Sequence, residues 1–313
     1  MKRLNVFLFS AALIICFAVF TSCSSNDTSL PEMYVCPVNN MEKLQNDITA
    51  YNANFNAQYP QSRSFWKVLR KIAKVLFQDV KGATVSYGTD QKLGKAVVVG
   101  VCASLKAVIN NNTSNNSGSS GSSGNTGSGS TGSGGDGTCL DRHIDPINEL
   151  VPEGETGSEA GNLHNTIICN IAQAYDVDTL SDVQMFNAVT QETLAEMGAT
   201  TEVPSYQSYQ SYMNNINALD NDSTSFDQQL TNFVNSGWLP TDQAQIIANY
   251  VQQITSLESD AALTQYFTGF ATIVRNSNIS NDEKSSILVA TSVAANSRVL
   301  WGNLGEDDTE TAE

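Results

Sequence analysis

Residues 281–300 read NDEKSSILVATSVAANSRVL, and the reading of this stretch decides the fold. Ser280 precedes it and Glu283 follows three residues on. That is a capping box, in which the hydroxyl accepts the N3 amide and the carboxylate reaches back. Ile287, Leu288, Val289, Ala290, Val293 and Ala294 then cover nearly every side of the helix. A helix apolar all round is buried among other helices. The neighbours it needs are legible upstream. Leu263, Phe267, Phe270 and Val274 share one helical face, as do Ile246, Tyr250, Ile254 and Leu257. Phe226, Leu230 and Phe233 make a third stripe; Val183, Phe186, Leu194 and Met197 make a fourth. Ser181 with Gln184 and Ser225 with Gln228 repeat the capping box, and Gly237, Pro240 and Asn276-Ser277-Asn278 break the chain between helices. Tyrosines 206, 209 and 212 repeat in a Ser-Tyr-Gln pattern and read as core packing. Seven helices counted from about Gly161 make an all-α bundle, and residues 305–313, with five acids, read as a frayed tail.

Toward the N-terminus the composition changes abruptly. Asn110 to Gly137 is almost wholly Asn, Ser, Gly and Thr, too poor in apolar surface to offset the entropy of ordering. As a Gly/Ser coil it spans roughly 30 Å. Residues 110–138 are therefore expected to be a disordered linker between a small basic helical unit, 38–109, and an acidic helical-bundle domain, 139–304. Charge divides the same way. From Ser24 to Cys139 there are 10 Lys and Arg against 7 Asp and Glu; from Leu140 to Glu313 there are 4 against 25. The acidic half would repel phosphates, so a nucleic-acid partner is excluded.

Within the basic unit, Met41, Leu44, Ile48, Tyr51 and Phe55 share a helical face, and Pro60 ends that helix. A second helix is predicted from Ser64 to Lys81, terminated by Gly82. Its apolar face is Phe65, Val68, Leu69, Ile72, Leu76 and Val80; Lys67, Arg70, Lys71, Lys74 and Lys81 face the other way, a candidate contact for an anionic surface. The solvated side of a packed helix explains the same pattern. The segment 93–109 carries small residues at Ala96, Gly100 and Ser104, and Lys95 and Lys106 bracket an apolar stretch too short to span a bilayer. It reads as a closely packed hairpin partner of the basic helix.

Candidates for chemistry are few. Cys36, Cys102, Cys139 and Cys169 match no zinc spacing, and His143 and His164 have no ligand neighbours, so His164 reads as a surface or packing residue. Cys102 and Cys169 lie in apolar helical surroundings and read as buried thiols. Asp220-Asn221-Asp222 begins like a calcium loop, yet Ser225 stands where glycine is needed and Thr231 where the bidentate Glu belongs. No metal and no cofactor are expected. No Ser/His/Asp or Cys/His set, phosphate-cradling loop or catalytic carboxylate pair can be read along the chain, so an enzyme is not expected.

Residues 1–22 form the last signal. Lys2 and Arg3, an apolar run from Val6 to Phe20 and then Thr21-Ser22-Cys23 make an export leader, too short for a membrane-spanning helix. The end of the leader resembles a bacterial lipobox, and the polar residues after it resemble lipoproteins of the Bacteroidota. That resemblance implies cleavage before Cys23, acylation of Cys23 by palmitate-type chains, and a tether over 23–37 holding the protein to the outer membrane, periplasmic or surface-exposed. Asp178-Thr179-Leu180 and Asp222-Ser223-Thr224 resemble O-glycosylation sites of exported Bacteroidota proteins, which points to Thr179 and Ser223. Loss of residues 1–22 moves the net charge from −16 to −18. The whole reads as a membrane-anchored cell-envelope lipoprotein with a non-enzymatic binding or structural role, whose acidic domain meets a surface protein or a glycan. The alternative is a membrane-active effector using the amphipathic helix 64–81 and the apolar segment 93–109.

Overall fold

A computed structural model describes residues 39–59, 75–76, 78–84, 87, 92–116, 159–219, 226–237, 239–257 and 259–302. Among the described residues every regular element is helical and none is a strand, so the protein is all-α. The helices are α1 (Asn40–Gln58), α2 (Leu93–Asn116), α3 (Ala160–Ala174), α4 (Asp182–Met197), α5 (Tyr206–Leu219), α6 (Phe226–Asn235), α7 (Thr241–Ile254), α8 (Asp260–Asn276) and α9 (Asn281–Gly302). Residues 78–84 add a helical segment between α1 and α2, and Val177–Thr179 a 3-10 turn between α3 and α4.

Local signals set many of the boundaries. Ser181 accepts from the Gln184 amide while the Gln184 side chain accepts from the Ser181 amide. Ser280 and Glu283 make the same reciprocal pair ahead of α9. α1 stops at Gln58, two residues before Pro60. Gly237 adopts φ 74°, where a β-carbon would be strained, and so turns the chain between α6 and α7. The Ser225 capping pair lies outside the described residues.

α9 is buried from Ser286 to Trp301 and divides the interior in two. Val289, Val293, Leu300 and Trp301 join one hydrophobic cluster; Ile287, Leu288, Ala290, Ala294, Ala295 and Val299 join the other. α3, α7 and α8 all pack on it. The first cluster is filled from α2, α3, α4 and α5, the second from α1, α7 and α8. The apolar stripes of α7 and α8 point inward as their spacing predicts. α4 is a correction. Val183 is 44% exposed, and the inward face is Met185, Phe186, Val189 and Thr193, rotated from the predicted stripe. Leu194 and Met197 are only partly buried.

The predicted division into two separately folding units is not the division seen. α1 packs on α7 and α8, and α2 on α3, α4 and α5, so helices from before residues 110–138 complete both clusters. Polar contacts follow the same seams. Asn40 donates to Asn278 O at 3.0 Å, Tyr266 donates to Asn52 Oδ1 at 2.7 Å, and Lys106 pairs with Asp182 at 2.9 Å. The physical reason is that neither α1 nor α2 can bury its apolar face alone. α2 also runs to Asn116, seven residues into the predicted linker, because an established helix adds a hydrogen bond for each residue it gains. Residues 117–138 lie outside the described residues, as do 1–38 and 303–313.

Two crossings depend on the absence of a side chain. A β-carbon on Gly82 would stand 2.7 Å from the Cα of Gly100, so segment 78–84 and α2 meet backbone to backbone. This is the close approach that Ala96, Gly100 and Ser104 imply, and all three are buried. A β-carbon on Gly161 would stand 2.1 Å from Ser292 O, where α3 crosses α9.

A buried Asp–Ser–His cluster as the candidate functional site

The crossing of segment 78–84 with α2 brings an acid into the interior. Asp79 sits one turn from Leu76 on the inward side of its helix and is fully buried. Ser104, one turn beyond Gly100 on α2, and His164, on α3, are buried to the same degree. The Ser104 hydroxyl hydrogen-bonds Asp79 Oδ1, lies 2.9 Å from His164 Nε2 and 3.0 Å from Gly100 O. From α9, the Trp301 indole donates to Asp79 Oδ2 at 3.1 Å. His164 Nε2 is 4.0 Å from Asp79 Oδ2.

The far side of the imidazole is also fixed. Asn165 donates through Nδ2 to Asn296 O at 2.8 Å, which turns its Oδ1 toward His164 Nδ1 at 3.2 Å. Nδ1 must then carry a hydrogen, an assignment made from the network. Burial pushes the Asp79 carboxyl up, opposed by the His164 charge and by the Ser104, Ser297 and Trp301 donors. Burial likewise pushes the His164 imidazole down, opposed by Asp79 and Asn165.

These residue types are those of a hydrolytic triad, but the connections differ. A triad acid holds the Nδ1 hydrogen of its histidine while the serine faces substrate. Here Asn165 takes that hydrogen, Asp79 lies on the serine's side, and all three side chains are closed to solvent. The arrangement can hold a proton and tie segment 78–84, α2, α3 and α9 together. Trp301→Phe keeps an aromatic ring, smaller than the indole, and removes the donor to Asp79. It is expected to cost about 1–3 kcal/mol in a urea titration, the range for leaving a buried acceptor short of a partner.

The residue-by-residue reading of the chain missed this cluster because its members are 25 and 60 residues apart and none belongs to a local motif. The available signal was Asp79 itself, an acid among basic residues on a helix with one apolar face. His164 is a packing histidine, and among the described residues no His, Cys, Asp and Glu group could hold a metal ion. Cys102 and Cys169 are buried and not joined in a disulfide, and burial pushes the Cys102 thiol up to about 12. Tyr209 and Tyr212 are in the core, with Tyr206 half-buried.

The other sequence-derived sites scatter. Lys81, assigned to the solvated side of its helix, is 4% exposed and cannot meet an anionic surface; this is a correction. Segment 78–84 is enclosed by α2 and by both clusters, so both sides of that helix's last turn are inside. Lys67, Arg70, Lys71 and Lys74 lie outside the described residues, as do Cys23, His143 and Ser223. Thr179 is exposed on the 3-10 turn, its hydroxyl donating to Asp176 O at 2.7 Å. Two basic residues of the N-terminal stretch do meet acids of the C-terminal one: Lys92 with Glu202 and Lys106 with Asp182, each at 2.9 Å. Comparison with protein-family models, with curated proteins and with solved structures finds no match to this chain.

Proposed function

We propose that the chain is a cell-envelope lipoprotein of Bacteroidota type, anchored to the outer membrane through acylated Cys23, with a non-enzymatic binding or structural role toward a surface protein or glycan. The observation that carries this reading is the leader. A charged start, a short apolar run and Thr21-Ser22-Cys23 suit cleavage and lipidation better than a spanning helix. The non-enzymatic part is supported by the enclosure of Asp79, Ser104 and His164, which leaves a substrate no access to the one Ser/His/Asp grouping among the described residues. The effector alternative is disfavoured by packing. Val97, Val98, Val99 and Val101 of segment 93–109 are core residues, and moving them to a bilayer would open the first cluster. Among the described residues no helix is long and apolar enough to cross a membrane.

Cells given a palmitate analogue are expected to label the protein and to hold it in the membrane fraction. Cys23→Ala should lose both label and membrane association. Retention of either by the variant would refute the anchor.

A further inference from the structure

Asp79 and His164 are an acid and a base sealed from water, and the Ser104 hydroxyl lies between them. A serine hydroxyl has one hydrogen to give and can accept two. Because Asn165 holds the Nδ1 hydrogen of His164, one further proton has two places to reside: Asp79 Oδ1 or His164 Nε2. On the carboxyl, Asp79 donates to Ser104 and Ser104 donates to His164. On the imidazole, His164 donates to Ser104 and Ser104 donates to Asp79. Both arrangements make every bond, and both sum to zero charge.

No other proton count does so. With the proton gone, the single Ser104 hydrogen cannot serve both the carboxylate and the bare Nε2, and a net negative charge is buried. With a second proton, both neighbours donate to Ser104, whose hydrogen turns to Gly100 O at 3.0 Å, and an unbalanced imidazolium is buried. An uncompensated interior charge costs several kcal/mol.

We propose that Asp79 and His164 share one proton through the Ser104 hydroxyl, and that this pair is a pH-gated latch on the seam between the early and late parts of the chain. Asp79 and Ser104 come from before residue 116; His164, Asn165 and Trp301 come from after residue 159. The other charged groups on the enclosing elements are Lys81 on segment 78–84, Lys95 and Lys106 on α2, Glu159 at the head of α3, and Asp282, Glu283, Lys284 and Arg298 on α9. Lys106 pairs with Asp182, and Arg298 donates to Leu257 O at 3.2 Å. The charge that acts on Asp79 is that of His164, and the reverse holds.

The pH window follows from linkage. In the unfolded chain the two groups titrate near about 3.9 and about 6.5. Asp79, raised on folding, contributes stability that is present below about 3.9 and lost as pH rises toward its folded value. His164, lowered on folding, contributes stability that is present above about 6.5 and lost as pH falls toward its folded value. Between those limits the two trends cancel and the latch is level. Outside them it weakens by up to about tenfold in the folded-to-unfolded ratio per pH unit, the limit for one proton.

The test compares urea unfolding of the full chain, purified in detergent, with that of Asp79→Asn and His164→Gln across pH 4 to 9. Relative to wild type, Asp79→Asn is expected to gain up to about tenfold per pH unit as pH rises from about 4. His164→Gln should gain by the same factor as pH falls from about 6.5. Offsets that do not change with pH in either variant would overturn the proposal. Should the variants fail to fold, wild type decides. The expected result is one proton on the pair at pH 7, read as a protonated-carboxyl infrared band or as imidazolium nitrogen shifts, with the His164 shifts constant from pH 5 to 8. A fully ionised Asp79 beside a neutral His164, or an imidazole titrating near its ordinary value, would overturn it.

Discussion

A fragment running from Cys139 to Glu313 is expected to stay unfolded by circular dichroism, and to gain helix when a separate fragment of residues 24–138 is added. The reason is where the apolar surface goes. α1 supplies Met41, Leu44, Ile48 and Phe55 to the second cluster, each 5% exposed or less. Burying a large apolar side chain contributes about 1.5–3 kcal/mol, so these four together approach the roughly 5–15 kcal/mol by which a domain is stable at all. α2 adds Val97, Val98, Val99, Val101 and Leu105 to the first cluster, and Ser104 to the buried polar joint. Without α1 and α2 both faces of the late helices stand open. A fragment from Cys139 that melts cooperatively by itself would restore the boundary at residues 110–138.

Gly161→Ala is expected to be among the most damaging single changes. Its new β-carbon would stand 2.1 Å from Ser292 O and 2.4 Å from Asn296 Nδ2, and the first of these is backbone that cannot rotate away. α3 and α9 must separate, which breaks the Gly161 amide bond to Ser292 Oγ at 2.8 Å and strains the Asn165 bond to Asn296 O. Overpacking costs about 1–3 kcal/mol and a stranded buried donor about 1–3 more. The unfolding free energy from a urea titration should fall by the sum, about 2–6 kcal/mol, and the His164 cluster should loosen with it. A loss under about 1 kcal/mol would mean that the crossing can widen without harm.

Periodicity carried most of the fold. The helical stripes of α1, α7 and α8 are satisfied almost residue for residue, because each of these helices buries one face, and α9, apolar all round, is enclosed by its neighbours. It failed on α4, where Val183 lies at the exposed start of the helix and a polar residue, Thr193, belongs to the inward face, its hydroxyl donating to Val189 O at 2.8 Å. Composition predicted two units, because charge and a Gly/Ser stretch are local properties; which helices pair is not. Lys81 shows the same limit. A lysine opposite an apolar stripe reads as solvated, and only the arrival of other helices on that side places it inside. The Asp79 cluster was the least legible, since its meaning lies in three residues that approach one another only after folding.

α9 is the last of the described helices, and both clusters lean on it. Its position sets an order of events. Synthesis runs from the N-terminus, so the two clusters to which α1 and α2 belong stay incomplete until residues 281–301 exist. The contacts they await are distant: Asn40 meets Asn278 across 238 positions. Distant pairings close slowly, since the intervening loop must be ordered before any contact repays it. Until residues 281–301 are made neither interior can close, and the chain before them stays pliant. A premature stop anywhere before residue 281 would leave both interiors without their shared wall, and such a product should be handed to proteases instead of accumulating as a shortened but working protein.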